Sequence, residues 1–249
     1  CGSAAKGLGI VQLLDAIVAA VPAPTALPSV RGINPKTKEE SSRNIDPKEP
    51  LSVFVFKTMA DPYVGKLTLF RVYSGVLHSD SHVYNATRDK EERLGQLFIP
   101  HGKEQEAVPE IVAGDIGAVA KLQETGTGNT LCDKEKPVIF PNIVFPKPVL
   151  TMAVEPKTKG DEDKIGSGLA RLTEEDPTFR VEKNTETGQT LISGLGELHL
   201  EIITSRLRKK FGADVEITDP RIPYKETIRG TVKVEGKHKK QSGGRGQFG

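Results

Sequence analysis

The sequence predicts a multidomain α+β protein in which an all-β unit is followed by a mixed unit, with partial flanking domains on either side. Its length of 249 residues favours about two domains. Residues 50–146 hold many short β-rich runs, and residues 147–222 show a β-α-β-β-α-β order. With 36% hydrophobic and 27% charged residues, the composition is that of a globular rather than a disordered protein.

The chain opens with an amphipathic segment. Apolar residues recur over 10–21 at helical spacing, which predicts a helix that ends before Pro22 and Pro24. Such an apolar face needs cover, and we expect a domain that precedes Cys1 to supply it. Residues 22–49 are rich in Pro, Ser, Asn, Lys and Glu and lack apolar periodicity, so they are predicted to be a linker.

Residues 50–146 are predicted to form an all-β domain. Turn signals such as Ser74-Gly75 separate five runs that are rich in β-branched and aromatic residues. The predicted strands are 51–57, 66–73, 81–85, 93–99 and 116–122. Many short strands at this spacing favour a closed β-barrel or a sandwich.

Residues 147–222 give the clearest pattern in the chain. Acidic residues at 161–163 open one predicted helix, and Gly212 ends a second. The strands around these helices are predicted at 149–154, 178–183, 189–192 and 213–218. This order of elements is that of a ferredoxin-like split βαβ domain.

Cysteine content and net charge indicate in which cellular compartment the protein works and which classes of partner it binds. Cys1 and Cys132 make no disulfide framework, which favours a reducing compartment. No secretory signal and no apolar run near the roughly 20 residues of a membrane helix is visible, so we expect a cytoplasmic protein with no membrane partner. The net charge is only +2, so any affinity for nucleic acid must come from a local patch.

The last stretch of the chain supplies such a patch. Residues 229–249 contain six Lys or Arg against one Glu, and several of these cations surround a glycine-rich core. Glycine lets the backbone approach a partner closely, and Lys and Arg suit phosphates, whereas a flexible solvated tail is the alternative interpretation. The predicted RNA-contacting residues are Lys237, Lys239, Lys240, Gln241, Ser242, Gly243, Gly244, Arg245, Gly246 and Gln247.

Several motifs resemble the elongation factor G family. The motifs that are similar to its second domain are FKTMADPYVGKL at 56–67, RVYSG at 71–75, AGDI at 113–116 and TGNTLCD at 127–133. Those that are similar to its third domain are EEDPTFR at 174–180 and SGLGELHLE at 193–201. QSGGRGQ at 241–247 resembles a loop at the tip of its fourth domain, and CGSA at 1–4 resembles the end of its GTPase domain.

The resemblance implies a translocase-type GTPase that couples GTP hydrolysis to movement of tRNA and mRNA on the ribosome. It implies GTP and Mg²⁺ as ligands of the intact protein, and rRNA, ribosomal proteins, tRNA and mRNA as partners. The domain order that it implies is the end of a GTPase domain at 1–21, a linker at 22–49, a translation-factor β-barrel at 50–146, a ferredoxin-like domain at 147–222 and the start of a fourth domain at 223–249.

The resemblance also implies that Gly2, Ser3 and Ala4 face the guanine base in the intact protein, whereas a plain strand-to-helix turn is the alternative. The sequence holds no G-x-x-x-x-G-K-[ST] loop and no Asn-Lys-x-Asp motif. We therefore expect this chain alone neither to bind GTP tightly nor to hydrolyse it, and we assign it no catalytic or metal-binding residue. Because it starts at Cys1 and stops inside a glycine-rich loop, we expect it to be a piece of a longer protein.

Other functions stay open. Residues 105–109 and 117–122 are more similar to a paralogous group of these factors. Ribosome-protection and recycling factors share the same architecture. A ribosome-associated GTPase with another task, or a module that acts by occupying the ribosome without catalysis, therefore remains an alternative to a translocase.

Three further clusters have both a functional and a structural interpretation. His78, Asp80 and His82 would share a face of a single strand and could ligate zinc, whereas a polar hairpin crossing would separate them. Glu197 and His199 are two residues apart on a predicted helix and do not face each other, so His199 is predicted to be structural. A basic cluster is either an rRNA contact or a complement to the helix dipole. That cluster comprises Arg206, Arg208, Lys209 and Lys210.

Overall fold

A computed structural model describes residues 1–27, 29–61, 65–102, 104–158, 160–241, 243–244 and 246–248. The described part holds three α-helices, which are α1 (Ile10–Ala20), α2 (Glu162–Glu175) and α3 (Glu197–Phe211). Its strands are β1 (Val30–Ile33), β2 (Glu40–Arg43), β3 (Ser52–Asp61), β4 (Gly65–Ser74), β5 (Val76–His78), β6 (His82–Asn85), β7 (Lys90–Arg93), β8 (Leu97–His101), β9 (Glu104–Val108), β10 (Glu110–Val112), β11 (Ile116–Ala120), β12 (Thr130–Cys132), β13 (Leu150–Pro156), β14 (Arg180–Lys183), β15 (Thr190–Gly194), β16 (Val215–Thr218), β17 (Lys239–Lys240) and β18 (Gln247–Phe248). The mixed α+β class that the sequence predicts is confirmed.

Helix α1 forms where the apolar spacing predicts it. Gly9 precedes it in a left-handed conformation with φ 75°, and Val21, which is extended, ends it directly before Pro22. Its apolar side chains are exposed, Val18 to 83% and Val11 to 66%, and no residue that the structure describes covers them.

A β-hairpin occupies part of the segment that the sequence assigns to a linker. Strands β1 and β2 pair in antiparallel fashion, and Ile33 exchanges backbone hydrogen bonds with Ile139 at 2.9 and 2.8 Å. The guanidinium of Arg43, which is 9% exposed, donates to the carbonyl oxygen of Lys136 at 2.7 Å. The sequence does not predict this hairpin because its strands are only four residues long and are stabilised by pairing with a distant segment.

The eight-stranded unit, residues 50–134, is built on one antiparallel sheet. The strand order of the sheet is β7-β6-β12-β3-β4-β11-β8-β9, and β5 pairs separately with β10. The long strands β3 and β4 pair from Ser52↔Ser74 to Asp61↔Gly65, with register shifts after Ser52 and after Val55. Their inward residues join a core of fully buried side chains, among them Val53, Phe70, Val72, Leu77, Leu94, Leu97 and Leu131.

One predicted strand of this unit is wrong. The sequence predicts a single strand over 93–99, whereas β7 ends at Arg93 and β8 begins at Leu97. Leu94 and Leu97 are both fully buried, so they look like one apolar run in the sequence. Between them the chain leaves one strand and enters another, and the Leu94 N–H donates to the carbonyl oxygen of Ser81 at 2.8 Å.

The four-stranded unit, residues 149–218, packs two helices on one sheet. The antiparallel strand order is β14-β15-β13-β16, so the first and third strands in chain order are adjacent at the centre. The apolar stripe of α2 is buried, as is that of α3 except for the partly buried Phe211. The buried stripe residues are Ile165, Leu169 and Leu172 on α2 and Leu200, Ile203 and Leu207 on α3.

Residues 219–238, all of which the structure describes, contain no helix or strand. Its apolar residues are exposed, Tyr224 to 87% and Val234 to 86%. The chain then forms the short antiparallel pair β17–β18, in which the backbone of Lys239 pairs with that of Phe248 and the backbone of Lys240 with that of Gln247.

Candidate nucleic-acid interface

The predicted RNA-contacting residues lie on and around a small exposed hairpin, which we call the basic tip and define as residues 237–247. Lys239 and Lys240 form its first strand and Gln247 begins the second. Because successive side chains of a strand point to opposite faces, the two lysines lie on opposite sides of the basic tip. Lys237, Lys239, Lys240 and Gln241 are all exposed.

The loop of the basic tip depends on glycine. Gly243, Gly244 and Gly246 have φ values of 71°, 89° and 59°, in the left-handed region that side chains with a Cβ rarely adopt. A Cβ added at Gly243 or Gly244 would have open space, so the requirement comes from backbone conformation rather than from packing. Predicted contacts at Ser242 and Arg245 lie outside the described residues.

The electrostatics of the basic tip favour an anion. In the described part of the chain, no carboxylate lies within ion-pair distance of Lys237, Lys239 or Lys240. Cations without a carboxylate partner on an open hairpin can approach a phosphate backbone at low desolvation cost. The predicted RNA contact of the basic tip stays a prediction.

The residues predicted to face a guanine base form a tight loop. The Ser3 N–H donates to the carbonyl oxygen of Leu8 at 3.0 Å, and the Leu8 N–H returns a bond at 3.1 Å. Gly2 has no room for a side chain, since a Cβ there would lie 2.8 Å from the Leu8 oxygen. Ser3 therefore uses its amide internally, whereas Ala4, at the start of a 3₁₀ turn, donates its amide to no acceptor among the described residues.

A groove of about 690 Å³ runs beside this loop and is lined by Cys1, Gly2, Ala4, Leu8 and the start of α1. The role of Gly2, Ser3 and Ala4 in nucleotide binding stays a prediction.

His199 has a partner that sequence spacing does not reveal. Its Nδ1 accepts a hydrogen bond from the Leu195 N–H at 3.0 Å, so its Nε2 carries the proton that is donated to Asp176 Oδ2 at 3.1 Å. Burial acts to raise the pKa of Asp176, but hydrogen bonds from Thr178 and His199 outweigh it and lower that pKa below its ordinary value. The ring also packs edge-on against Phe179. His199 thus ties α3 to the end of α2, and these contacts agree with the predicted structural role.

The zinc hypothesis at His78, Asp80 and His82 is wrong. His78 ends β5, His82 begins β6, and Asp80 lies in the turn between them with φ 55°. The three residues therefore do not share a face, and His78 Nδ1 lies 3.3 Å from Glu110 Oε2. No group of three or more metal-ligating side chains occurs among the residues that the structure describes. The polar hairpin crossing is the correct interpretation.

Two of the four residues of the basic cluster at the end of α3 form ion pairs within the described part of the chain, and two do not. Lys210 and Arg206 approach Glu175 of α2, at 3.0 and 3.8 Å. Arg208 and Lys209 form no ion pair with any residue in the described ranges. Half of the cluster thus contacts another helix of the same chain. Neither of the two interpretations of the sequence, an rRNA contact or a complement to the helix dipole, includes this contact.

Two protein-family models match the chain. The model described as elongation factor G domain 2 matches residues 50–134, and the model described as elongation factor G, domain III, matches residues 145–219. Together they match well over half of the 249 residues. The chain belongs to the elongation factor G family. The resemblance found in the sequence motifs is thereby confirmed.

A solved structure agrees with this assignment to the elongation factor G family. The crystal structure of a protein from Thermus thermophilus matches with a TM-score of 0.70 at 34% sequence identity, over 98% of this chain. The match covers 34% of the Thermus protein, so the chain spans about a third of the length of that relative. No helix among the described residues is both long and apolar enough to cross a membrane.

The two elongation factor G models coincide with the two packed units. The eight-stranded unit lies inside the first match, and the four-stranded unit lies inside the second. The basic tip and the Gly2–Ala4 loop lie outside both matches.

Proposed function

We propose that this chain is part of a ribosomal translocase-type GTPase, which couples GTP hydrolysis to movement of tRNA and mRNA during elongation. Membership of the elongation factor G family is the observation that carries the proposal. In this proposal the protein acts in the cytoplasm on the ribosome, and the intact protein uses GTP and Mg²⁺.

The two packed units have the roles of scaffold domains. We take the eight-stranded unit as the translation-factor barrel and the four-stranded unit as a ferredoxin-like domain; the strand order β14-β15-β13-β16 supports the second assignment. The basic tip then acts as the RNA-contacting end. Its exposed lysines and left-handed glycines support that role.

In the nucleotide site of the intact protein, we propose that this chain contacts only the guanine base. The Ala4 amide and the groove beside it suit a guanine edge. The phosphates and Mg²⁺ need residues that this sequence does not contain, since it holds no phosphate-binding loop motif.

The experiment compares ribosome-stimulated GTP hydrolysis with single-round translocation in the full-length protein. We expect both activities in the wild type. The variant K239A/K240A should slow translocation more than GTP hydrolysis, because the basic tip contacts RNA and not nucleotide. The control K183A removes an exposed lysine of the four-stranded unit and should change neither rate.

The salt dependence of ribosome binding tests the contact itself. The logarithm of affinity falls as the logarithm of salt concentration rises. Each phosphate that is no longer neutralised makes this negative slope shallower by about 0.7 to 0.9. K239A/K240A should therefore reduce the slope by about 1.4 to 1.8 if both lysines contact phosphates. An unchanged slope contradicts the role of the basic tip. GTP hydrolysis without tRNA movement in the wild type would instead indicate the paralogous, protection or recycling alternative.

A further inference from the structure

The eight-stranded and four-stranded units have separate hydrophobic cores. No buried residue belongs to both clusters. The connecting residues 141–149 are all described by the structure and form no helix or strand, and Val144 is 94% exposed. Neither core nor connection fixes the orientation of the units, so surface contacts must do so.

Polar contacts at one place join the two units. At the end of α3, Lys210 Nζ donates to the carbonyl oxygen of Ala60 in β3 at 3.2 Å. The same ammonium group donates to the two carboxylate oxygens of Glu175 at 3.2 and 3.0 Å. Beside it, Lys66 Nζ of β4 lies 3.7 Å from Glu174 Oε2. The last turn of α2 is thus connected to the β3–β4 hairpin both directly and through Lys210.

The two glutamates are poorly placed for α2 itself. A helix C-terminus carries partial negative charge and disfavours carboxylates, and the last turn of α2 holds no basic residue. The Glu175 side chain is only 10% exposed. Its carboxylate is stabilised from outside its helix, by Lys210 and by Arg206 at 3.8 Å. These acids therefore stabilise the junction at the expense of α2.

A cleft beside these contacts leaves room for movement. It has a volume of about 400 Å³ and is lined by both units, with Thr58 and Gln123 on one side and Arg171 on the other. The Arg171 guanidinium lies 5.9 Å from the centroid of the Phe211 ring, which keeps it on the wall contributed by the four-stranded unit. The junction is therefore polar and incompletely packed.

We propose that Glu174 and Glu175 form a charged latch that holds the two units in one orientation and releases them when its ionic contacts weaken. Ion pairs near a surface are screened by salt, and a polyanion could compete for Lys66 and Lys210. Release would leave each core intact and let the exposed connection reorient the units. The latch does not depend on the proposed function, because its test uses this chain alone.

The test measures the distance between the units by double electron–electron resonance. Spin labels at Arg88→Cys and Thr185→Cys, both exposed positions, report one unit each, with Cys1→Ser removing the exposed native thiol. We expect one narrow distance distribution in about 0.1 M salt. It should broaden in about 1 M salt, which shortens the Debye length from about 10 Å to about 3 Å.

Four further variants separate the latch from a loss of folding. E175Q removes the charge that Lys210 contacts, and E174K places like charges opposite Lys66, so both should broaden the distribution at low salt. E174K also favours α2 through the helix dipole, so its effect cannot come from a weakened helix. The charge swap K66E/E174K should restore the narrow distribution. D214N, which breaks the ion pair with Lys157 inside one unit, should leave it unchanged.

Two results would overturn the latch. One is a narrow distribution in both E174K and E175Q at every salt concentration. The other is a charge-swap variant as broad as E174K, which would show that the charges act other than on each other. Far-ultraviolet circular dichroism confirms that each variant is folded before its distances are compared.

Discussion

Replacing Glu92 should destabilise the eight-stranded unit far more than replacing its neighbour Glu91. Glu92 is an 8% exposed acid on β7 that accepts three hydrogen bonds from the loop that follows β11. The donors are the amides of Gln123 and Glu124, the latter at 2.9 Å, and the hydroxyl of Thr125. This carboxylate therefore positions the loop that borders the cleft between the units.

The size of the loss in unfolding free energy depends on which hydrogen-bond donors the replacement of Glu92 leaves without a partner. Gln123 and Glu124 are exposed, so water can replace much of their lost bonding, but Thr125 is fully buried. A hydrogen bond to a charged group contributes about 1.5 to 3 kcal/mol, and an orphaned buried donor costs about 1 to 3 kcal/mol. We expect E92A to lower the unfolding free energy of this unit by about 2 to 4 kcal/mol. E92Q, which keeps one acceptor oxygen, should cost about 1 to 2 kcal/mol.

Urea unfolding followed by near-ultraviolet circular dichroism of tyrosine reports on the eight-stranded unit. The chain has no Trp, and the four-stranded unit has no Tyr, whereas Tyr73 and Tyr84 lie in the eight-stranded unit. The control E91A removes an exposed acid that pairs with Lys134 at 2.5 Å and should leave the urea midpoint unchanged. Equal midpoints for E92A and wild type would refute the role of the Glu92 carboxylate.

Three other predictions concern acid stability, hairpin docking and thiol reactivity. Because folding lowers the pKa of Asp176, its contribution is present above about pH 4 and is lost as the pH falls through the lowered value. D176N, at a side chain that is 26% exposed, should therefore cost about 1 to 2 kcal/mol in urea unfolding at pH 7 and less at pH 3. An equal cost at both pH values would contradict this. In Gly32→Ala the new Cβ would lie 2.7 Å from a backbone oxygen, so the Ile33 amide should lose protection in hydrogen exchange, and retained protection would show that the contact can relax. One thiol, that of Cys1, should react rapidly with Ellman's reagent, while Cys132 reacts only after unfolding, because it is 1% exposed and burial raises the pKa of its thiol; rapid reaction of both would contradict the buried position.

Helix spacing was the most reliable guide in this sequence. The stripe of Ile165, Leu169 and Leu172 marks α2 because a helix that covers a sheet must present one apolar face. The hairpin at 30–43 is not predicted because its strands are only four residues long and are held by the distant residues Lys136 and Ile139. A local sequence pattern does not indicate which distant residues will pair with a segment.

Partners of charged groups were equally hidden. The spacing of Glu197 and His199 excludes contact between them, but only the folded chain brings Asp176 to the imidazole from 23 positions away. Likewise, the composition of the α3 end predicts a basic surface, whereas Lys210 is occupied by Glu175 and by Ala60 of the other unit. Charge in a sequence shows what a side chain can bind, and the fold decides which partner it meets.

The exposed segment 141–149 also works as a tether of fixed reach. It carries Pro141, Pro146 and Pro148, and nine extended residues span no more than about 30 Å. Two units joined at that distance meet each other at an effective concentration in the millimolar range. Contacts too weak to assemble separate molecules are then sufficient to keep the units together, and their weakness makes the association quickly reversible.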